Sequence, residues 1–346
     1  LIGEHTDYNG GLVLPTATPQ RTRVELARRR DSTARLWSSE ADPAAAPRAY
    51  AVGDEQPVGN WTDYVQGVTA SLHASGYDLP VGFDLRVTTE IPLGSGLASS
   101  AALEVALLRG LRLLFDLPLD DLTIATIAHH AETDFVGAPV GVMDQVASSM
   151  GEEQTALYLD TRSMAIARVP IPEALEIVVI HSGIVHQHAG GEYTVRRREC
   201  ERAAELLGVA QLRDLDEADL DRIAALPEPL ARRARHVVTE NARVVTAVMA
   251  LRRGELARLG ALINASHASL RGDFAVSTPE IDRLVELAQA EPGVYGARLT
   301  GGGFGGAILA LVPVEQGHGV AMRVATRYAA ETGKRPTVMM PRDAAR

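Results

Sequence analysis

Pro92-Leu93-Gly94-Ser95-Gly96-Leu97-Ala98-Ser99-Ser100-Ala101 is the stretch on which the reading of this chain turns. The alternating run from Val81 to Ile91 precedes it as a strand, and an Ala/Leu-rich run through Leu103, Val105, Leu107 and Leu108 follows it as a helix. A strand that breaks on small residues and restarts as a helix lets backbone N–H groups approach phosphate oxygens. The helix N-terminus adds unpaired donors and a partial positive charge. Gly94, Ser95, Gly96, Leu97, Ala98, Ser99 and Ser100 are therefore the candidate phosphate-binding residues. Ser99 and Ser100 are placed to cap the helix, and one hydroxyl to reach a magnesium ion bridging the phosphates. As a bare pattern the stretch is equally an ordinary Gly/Ser turn before a helix. Lys334, the only lysine, lies in Thr332-Gly333-Lys334-Arg335-Pro336 near the end of the chain. That position excludes a Walker A lysine and a protein-kinase strand lysine, and leaves Schiff-base chemistry with one poorly placed amine.

Around this segment, short β-rich runs between Arg21 and Ala51 read as a meander, and Asn60 is placed to cap a helix through Trp61, Tyr64, Val65, Val68 and Leu72. Helices are expected from Ser99 to about Val136, strands at Thr155–Asp160, Ala165–Val169 and Glu176–His181, and a mainly helical block from Glu192 to Ala290. The end reads β-α-β, with Gly296–Thr300 and Ala307–Val312 flanking a glycine run, a helix near 318–332 and a strand near 337–341. Strands and helices do not alternate regularly, so the fold class is α+β rather than a doubly wound parallel sheet. A domain boundary is expected near 180, giving 1–180 and 181–346, with two halves packed around an active-site cleft.

At 346 residues and 46% hydrophobic residues, the chain can bury one large core or two coupled ones. Its net charge of −10 is scattered, without a basic stripe, which argues against nucleic acid or an anionic membrane as partner. Cys200 is the only cysteine, so an intramolecular disulfide and a thiolate-rich zinc site are excluded, and a reducing cytoplasm is the simplest compartment. The chain opens without methionine on an apolar run, Leu1-Ile2, and is expected to be a fragment.

Two polar clusters carry the remaining chemistry. Gly3-Glu4-His5-Thr6-Asp7-Tyr8-Asn9-Gly10-Gly11 packs donors and acceptors into one turn, suited to a ligand with several hydroxyls, though an Asn-Gly hairpin with solvated charges looks the same. Asp144, in Gly141-Val142-Met143-Asp144-Gln145, is either a proton acceptor or a helix cap. Tyr193 reads as part of an amphipathic helix start beside Arg196, Arg197 and Arg198. His129, His130, His186 and His188 lack the spacing of a zinc hydrolase site and are assigned structural or surface roles.

The string Pro-x-Gly-x-Gly-Leu-x-Ser-Ser-Ala at 92–101 resembles the ATP-binding motif of the superfamily of galactokinase, homoserine, mevalonate and phosphomevalonate kinases, the GHMP kinases. Leu1 to Pro15 resembles the signature of the galactokinase family almost letter for letter. The resemblance implies a two-lobed GHMP-kinase-like α+β fold with mixed and antiparallel sheets. It implies galactose and ATP as small-molecule substrates, Mg2+ as metal, phosphorylation of the sugar at its C1 hydroxyl, and a monomer. It carries sugar contacts onto Glu4, His5, Thr6, Asp7, Gly141 and Tyr193, the proton acceptor onto Asp144, and magnesium ligands onto Ser100 and Glu132. Ser38 and Trp61 match residues near the nucleotide. Gly296 to Gly306 resembles the third superfamily motif, which shapes the phosphate end. The family also has an arginine three residues before the position of Leu1, and serine in many members where Ala98 stands. A kinase for N-acetylgalactosamine or arabinose, and a non-catalytic sugar-sensing relative, remain the alternatives; the intact Ser100-Ala101 speaks against the second.

Overall fold

The structure is a computed structural model that describes residues 1–40, 46–92, 94, 96–184 and 189–339. In chain order, strand β1 (Leu12–Val13) is followed by β2 (Thr22–Arg28), β3 (Thr33–Ser38) and β4 (Arg48–Ala51). Helix α1 (Thr62–Ala74) leads to β5 (Phe83–Thr89), then to helices α2 (Ser99–Phe115), α3 (Asp121–His130) and α4 (Met143–Met150). Strands β6 (Thr155–Asp160), β7 (Ala165–Pro170) and β8 (Leu175–His181) come next. After them run α5 (Ala189–Leu207), α6 (Leu220–Ala224), α7 (Leu230–Arg253), α8 (Leu256–Gly272) and α9 (Pro279–Gln289). The chain closes with β9 (Gly296–Thr300), β10 (Ala307–Pro313), α10 (Gly317–Thr332) and β11 (Thr337–Met339).

These elements form two compact units, one of Leu1–Pro19, Gly94–Leu97 and Gly151–Arg346, the other of Gln20–Leu93 and Ala98–Met150. The units interleave along the sequence, a different kind of division from a single cut near 180.

In the second unit the sheet order is β2-β5-β3-β4, with β5 parallel to β3 and antiparallel to β2. The stretch before residue 52 is thus no meander: a strand from beyond α1 inserts between its first two strands. Phe83, Leu85 and Val87 alternate inward on β5 and meet Val68, Leu72, Leu107, Leu108 and Leu111 of α1 and α2. The other face of this sheet carries charge, where Arg29 and Arg35 grip Asp84 at 2.9 and 2.7 Å. Asn60 accepts from the backbone N–H of Thr62 at 3.0 Å, at the expected start of α1. The expected helical stretch to Val136 is broken by Asp120, whose side chain caps α3 by accepting from the Thr123 N–H at 2.7 Å.

The first unit holds a three-stranded sheet, β1-β6-β7, and an antiparallel four-stranded one, β11-β8-β10-β9. Strand β10 is buried on both faces: Ile308, Ala310 and Val312 enter one core, Ala307, Leu309 and Leu311 another. Its near-continuous apolar run is the sequence mark of a strand with no solvent face.

Candidate active site

The turn after Leu1 is the centre of the first unit's polar region. Gly3 has φ +109°, and a Cβ there would lie 2.8 Å from the Val13 Cα, so the close return of the chain requires glycine. Thr6 is fully buried and donates its hydroxyl to the carbonyls of Gly3 and Leu12 at 2.7 and 2.8 Å, clamping the turn from inside. Asp7 opens a short 3-10 turn, Asp7–Asn9, and its Oδ1 accepts from the Tyr8 N–H at 3.0 Å. His5 sits at φ +66°, a left-handed conformation costly for a side chain of this size and held by its surroundings. Its ring lies against Tyr193 of α5 and Phe274, at centroid separations of 5.3 and 4.6 Å, and Nδ1 is 2.9 Å from the Tyr8 hydroxyl. Burial, helped by neighbouring His236, lowers its pKa to about 3, so the imidazole is neutral at physiological pH. Glu4, His5, Asp7 and Tyr193 thus share the first unit, where Tyr193 also contacts Tyr8.

The glycine-rich loop enters this unit at Gly94, Gly96 and Leu97, with left-handed glycines at φ +67° and +73°. A Cβ on Gly301 would fall 2.4 Å from the Gly96 carbonyl oxygen, so the loop and the end of β9 approach through bare backbone. Ser95 lies outside the described residues, as do His186 and His188.

The second unit gathers the acidic groups. Helix α2 begins at Ser99, with left-handed Ala98 in the cap position and no side-chain cap bond. The serines are therefore inside the first turn rather than capping it. The Ser100 hydroxyl turns to Glu132 instead, donating to Oε1 at 2.8 Å. Gln145 Nε2 donates to the other oxygen, Oε2, at 2.7 Å. Glu132 stands on a π-helical turn, Ala131–Val136, and is only 6% exposed; burial raises its pKa despite those two bonds. Ser100 and Glu132 offer adjacent hard oxygen atoms, the donor chemistry magnesium takes when phosphates and water complete its shell. Asp144, half-buried, lies in the first turn of α4, where the helix dipole favours the carboxylate, and Gly141 is buried just before it. Ser38 ends β3 and accepts from the Glu40 N–H at 3.2 Å; Trp61 immediately precedes α1. His129 is bonded to the Val140 carbonyl and His130 to Asp134, in line with structural and surface roles.

Several polar residues around these sites were not singled out in the sequence, Arg298 and Thr300 entering it only as part of the Gly296–Gly306 motif. Arg298, Thr300, Glu240 and His236 surround Glu4, and Glu104 lies beside Glu132 and Gln145. Glu104 had a signal: it occupies a core-facing position of α2 in step with Ala101, Val105 and Leu108. Arg298, between Ala297 and Leu299 on a buried strand, had one too.

Comparison with known proteins supplies the decision. The galactokinase galactose-binding signature matches residues 1–28, the GHMP kinases N terminal domain 63–152 and the GHMP kinases C terminal domain 247–329. A galactokinase of Mannheimia succiniciproducens is 43% identical over 341 residues, covering 96% of this chain and 88% of the relative. The chain belongs to the galactokinase family. It is an ATP-dependent sugar kinase with the α+β GHMP-kinase fold expected from the sequence. A galactokinase of Actinobacillus succinogenes is 42% identical over 338 residues, with the same two coverages. The crystal structure of Lactococcus lactis galactokinase complexed with galactose aligns at a TM-score of 0.93 and 33% identity, over 98% of this chain and 90% of that one. The crystal structure of an L. major mevalonate kinase, at a TM-score of 0.66 and 20% identity over 98% of this chain and 93% of that one, shares the fold. Among the described residues no helix is long and apolar enough to cross a membrane.

Proposed function

We propose that this galactokinase-family chain transfers the γ-phosphoryl group of ATP to the C1 hydroxyl of galactose, giving galactose 1-phosphate and ADP. Glu4, His5, Asp7 and Tyr193 orient the sugar, Thr6 holds their turn, and Gly141 offers backbone to it. Neutral His5 suits an uncharged polyol, since it can donate or accept without bringing a charge that needs a counterion. Asp144 accepts the proton of the attacking hydroxyl as the O–P bond forms. Gly94, Ser95, Gly96, Leu97, Ala98, Ser99 and Ser100 receive the phosphates, with Ser38 near the nucleotide. Ser100 and Glu132 would hold Mg2+, which neutralises phosphate charge when bound. The observation that carries this reading is the turn Gly3–Gly11, where His5 and Tyr8 of the galactose-binding signature both meet the Tyr193 ring.

We also propose that the enzyme is a cytoplasmic monomer. Cys200, buried on α5 with its thiol pushed up to about 12 by that burial, is compatible with a reducing compartment. The sequential boundary near 180 remains our proposal: it falls between the N- and C-terminal family matches, which leave 153–246 to neither.

The test is ADP release with magnesium ATP across galactose, glucose, N-acetylgalactosamine, arabinose and mevalonate. The chain is assayed as given and with the family's arginine added upstream of Leu1. Galactose is expected to turn over fastest, and Asp144→Ala to lower kcat by about 10²–10⁴ with nucleotide binding retained. Folded protein that binds nucleotide but phosphorylates none of the five sugars and acids would refute the assignment.

A further inference from the structure

Beneath Glu4 lies a buried charge cluster that the proposed reaction does not use. Arg298 is fully buried and forms a close ion pair with Glu4 Oε2. Its Nε donates to the Leu299 carbonyl at 2.7 Å and its Nη1 to the Leu1 carbonyl at 3.4 Å, which fixes the guanidinium plane. Glu240, also fully buried, stands 3.7 Å from Nη1 but has its own cation, Arg243, at 2.6 Å. Glu240 further accepts from the Gly3 N–H at 3.1 Å and from Ser266 at 2.6 Å. The charge of Arg298 is therefore left for Glu4. The Thr300 hydroxyl reaches the other carboxylate oxygen, Oε1, at 3.2 Å, and His236 Nε2 meets the Glu4 carbonyl at 3.1 Å.

Glu4 is thus gripped at its backbone and at each carboxylate oxygen by separate partners. Such a cluster is an expensive way to fill a core, because apolar residues of similar volume are often at least as stabilising as a buried ion pair. What it supplies is a single carboxylate orientation, with lone pairs left over for further donors. Arg298 and Thr300 belong to β9, the strand entering the glycine run whose family motif serves the phosphate end. The geometry gives them a different task.

Resting on the reading of Glu4 as a sugar contact, we infer that Arg298 and Thr300 are positioning residues for sugar recognition. They fix the Glu4 carboxylate so that it accepts hydroxyl protons of the sugar, and they set affinity for the sugar rather than for the nucleotide.

The test measures galactose and a non-hydrolysable ATP analogue separately, by titration calorimetry, on the parent and on T300V, R298K, E4A and T300V/E4A. Thr300→Val keeps the shape and removes one hydrogen bond to a charged group. It is expected to weaken galactose about tenfold and leave the ATP analogue within about twofold. Arg298→Lys, which loses the planar fork, is expected to weaken galactose further. The T300V effect should vanish in the E4A background. Parental galactose affinity in T300V, or equal losses for both ligands, overturns the inference even where E4A is impaired. Parental affinity in E4A removes instead the reading of Glu4 on which it rests. If R298K does not fold, T300V decides alone.

Discussion

Two buried glutamates divide the chemistry of this chain. Glu4, in the first unit, is neutralised by Arg298 inside a cluster whose second acid, Glu240, has Arg243. Glu132, in the second, is bonded by uncharged Ser100 and Gln145, and a further buried acid, Glu104, lies beside it without bringing a cation. The first arrangement is complete by itself and suits a neutral ligand, because galactose brings no charge to balance. The second is raised in pKa by its own burial and lowers its energy when a cation arrives. Charge balance before binding thus separates the region suited to the sugar from the region suited to metal and phosphate.

The largest effect expected from this contrast is at Glu132. Glu132→Gln keeps the bond geometry with Ser100 but removes the charge, and kcat is expected to fall by at least about 10³, a few kcal/mol of electrostatic stabilisation. The apparent affinity for Mg2+ should fall with it, read from the magnesium dependence of ATP turnover. A Glu132→Gln enzyme with parental magnesium dependence would break the comparison at its metal side.

Acid should also distinguish the two units. His236 and His267 are lowered to about 4 by burial, and His5 to about 3. All three are neutral when folded. Between pH 6.5 and their folded values the unfolded chain takes up protons that the folded chain refuses, so stability falls as pH falls through that window. At pH 5 this amounts to about 2 kcal/mol per histidine, from 1.36 kcal/mol per pH unit over about 1.5 units. Glu240, held at about 2 chiefly by Arg243 against the opposing pull of burial, contributes in the same direction at lower pH. Glu104 and Glu132 act oppositely, since their raised values favour protonation in the folded state. Hydrogen exchange at pH 7 and pH 5, compared at matched intrinsic rates, should therefore show loosening in α7, α8 and the Leu1–Gly11 turn, with α2 spared. His236→Gln should lessen the loss, and equal loosening of both units would contradict the assignment.

Local patterns disclosed more of the molecule than long-range pairing did. The apolar β10 and the end of β5 at the glycine loop depend on residues close in sequence. The insertion of β5 between β2 and β3, and the interleaving of the two units, depend on pairing across α1 and beyond, which no local period encodes. At the site, the signature turn was legible because it is a contiguous string. The cluster joins Glu4 to Arg298 and Glu240, each more than 230 positions away from it, and an arginine between Ala297 and Leu299 showed only that something buried must meet it.

Glu104 gives the smallest effect and the sharpest check. It is fully buried with both carboxyl oxygens out of reach of water, and burial with the nearby Glu132 raises its pKa well above the ordinary range. Burial of this kind favours the protonated carboxyl over the carboxylate, and an amide of the same shape resembles that form. Glu104→Gln is accordingly expected to change kcat and the KM for galactose by less than about threefold, about 0.7 kcal/mol, while Glu132→Gln one helix away is crippling. The same substitution thus separates two neighbouring acids: in Glu132 it removes the charge that our reading assigns to Mg2+, whereas in Glu104 it removes a charge that burial disfavours. A Glu104→Gln enzyme as damaged as Glu132→Gln would mean that both carboxylates are ionised in the working enzyme, and the second unit would then hold two charges for its cation rather than one.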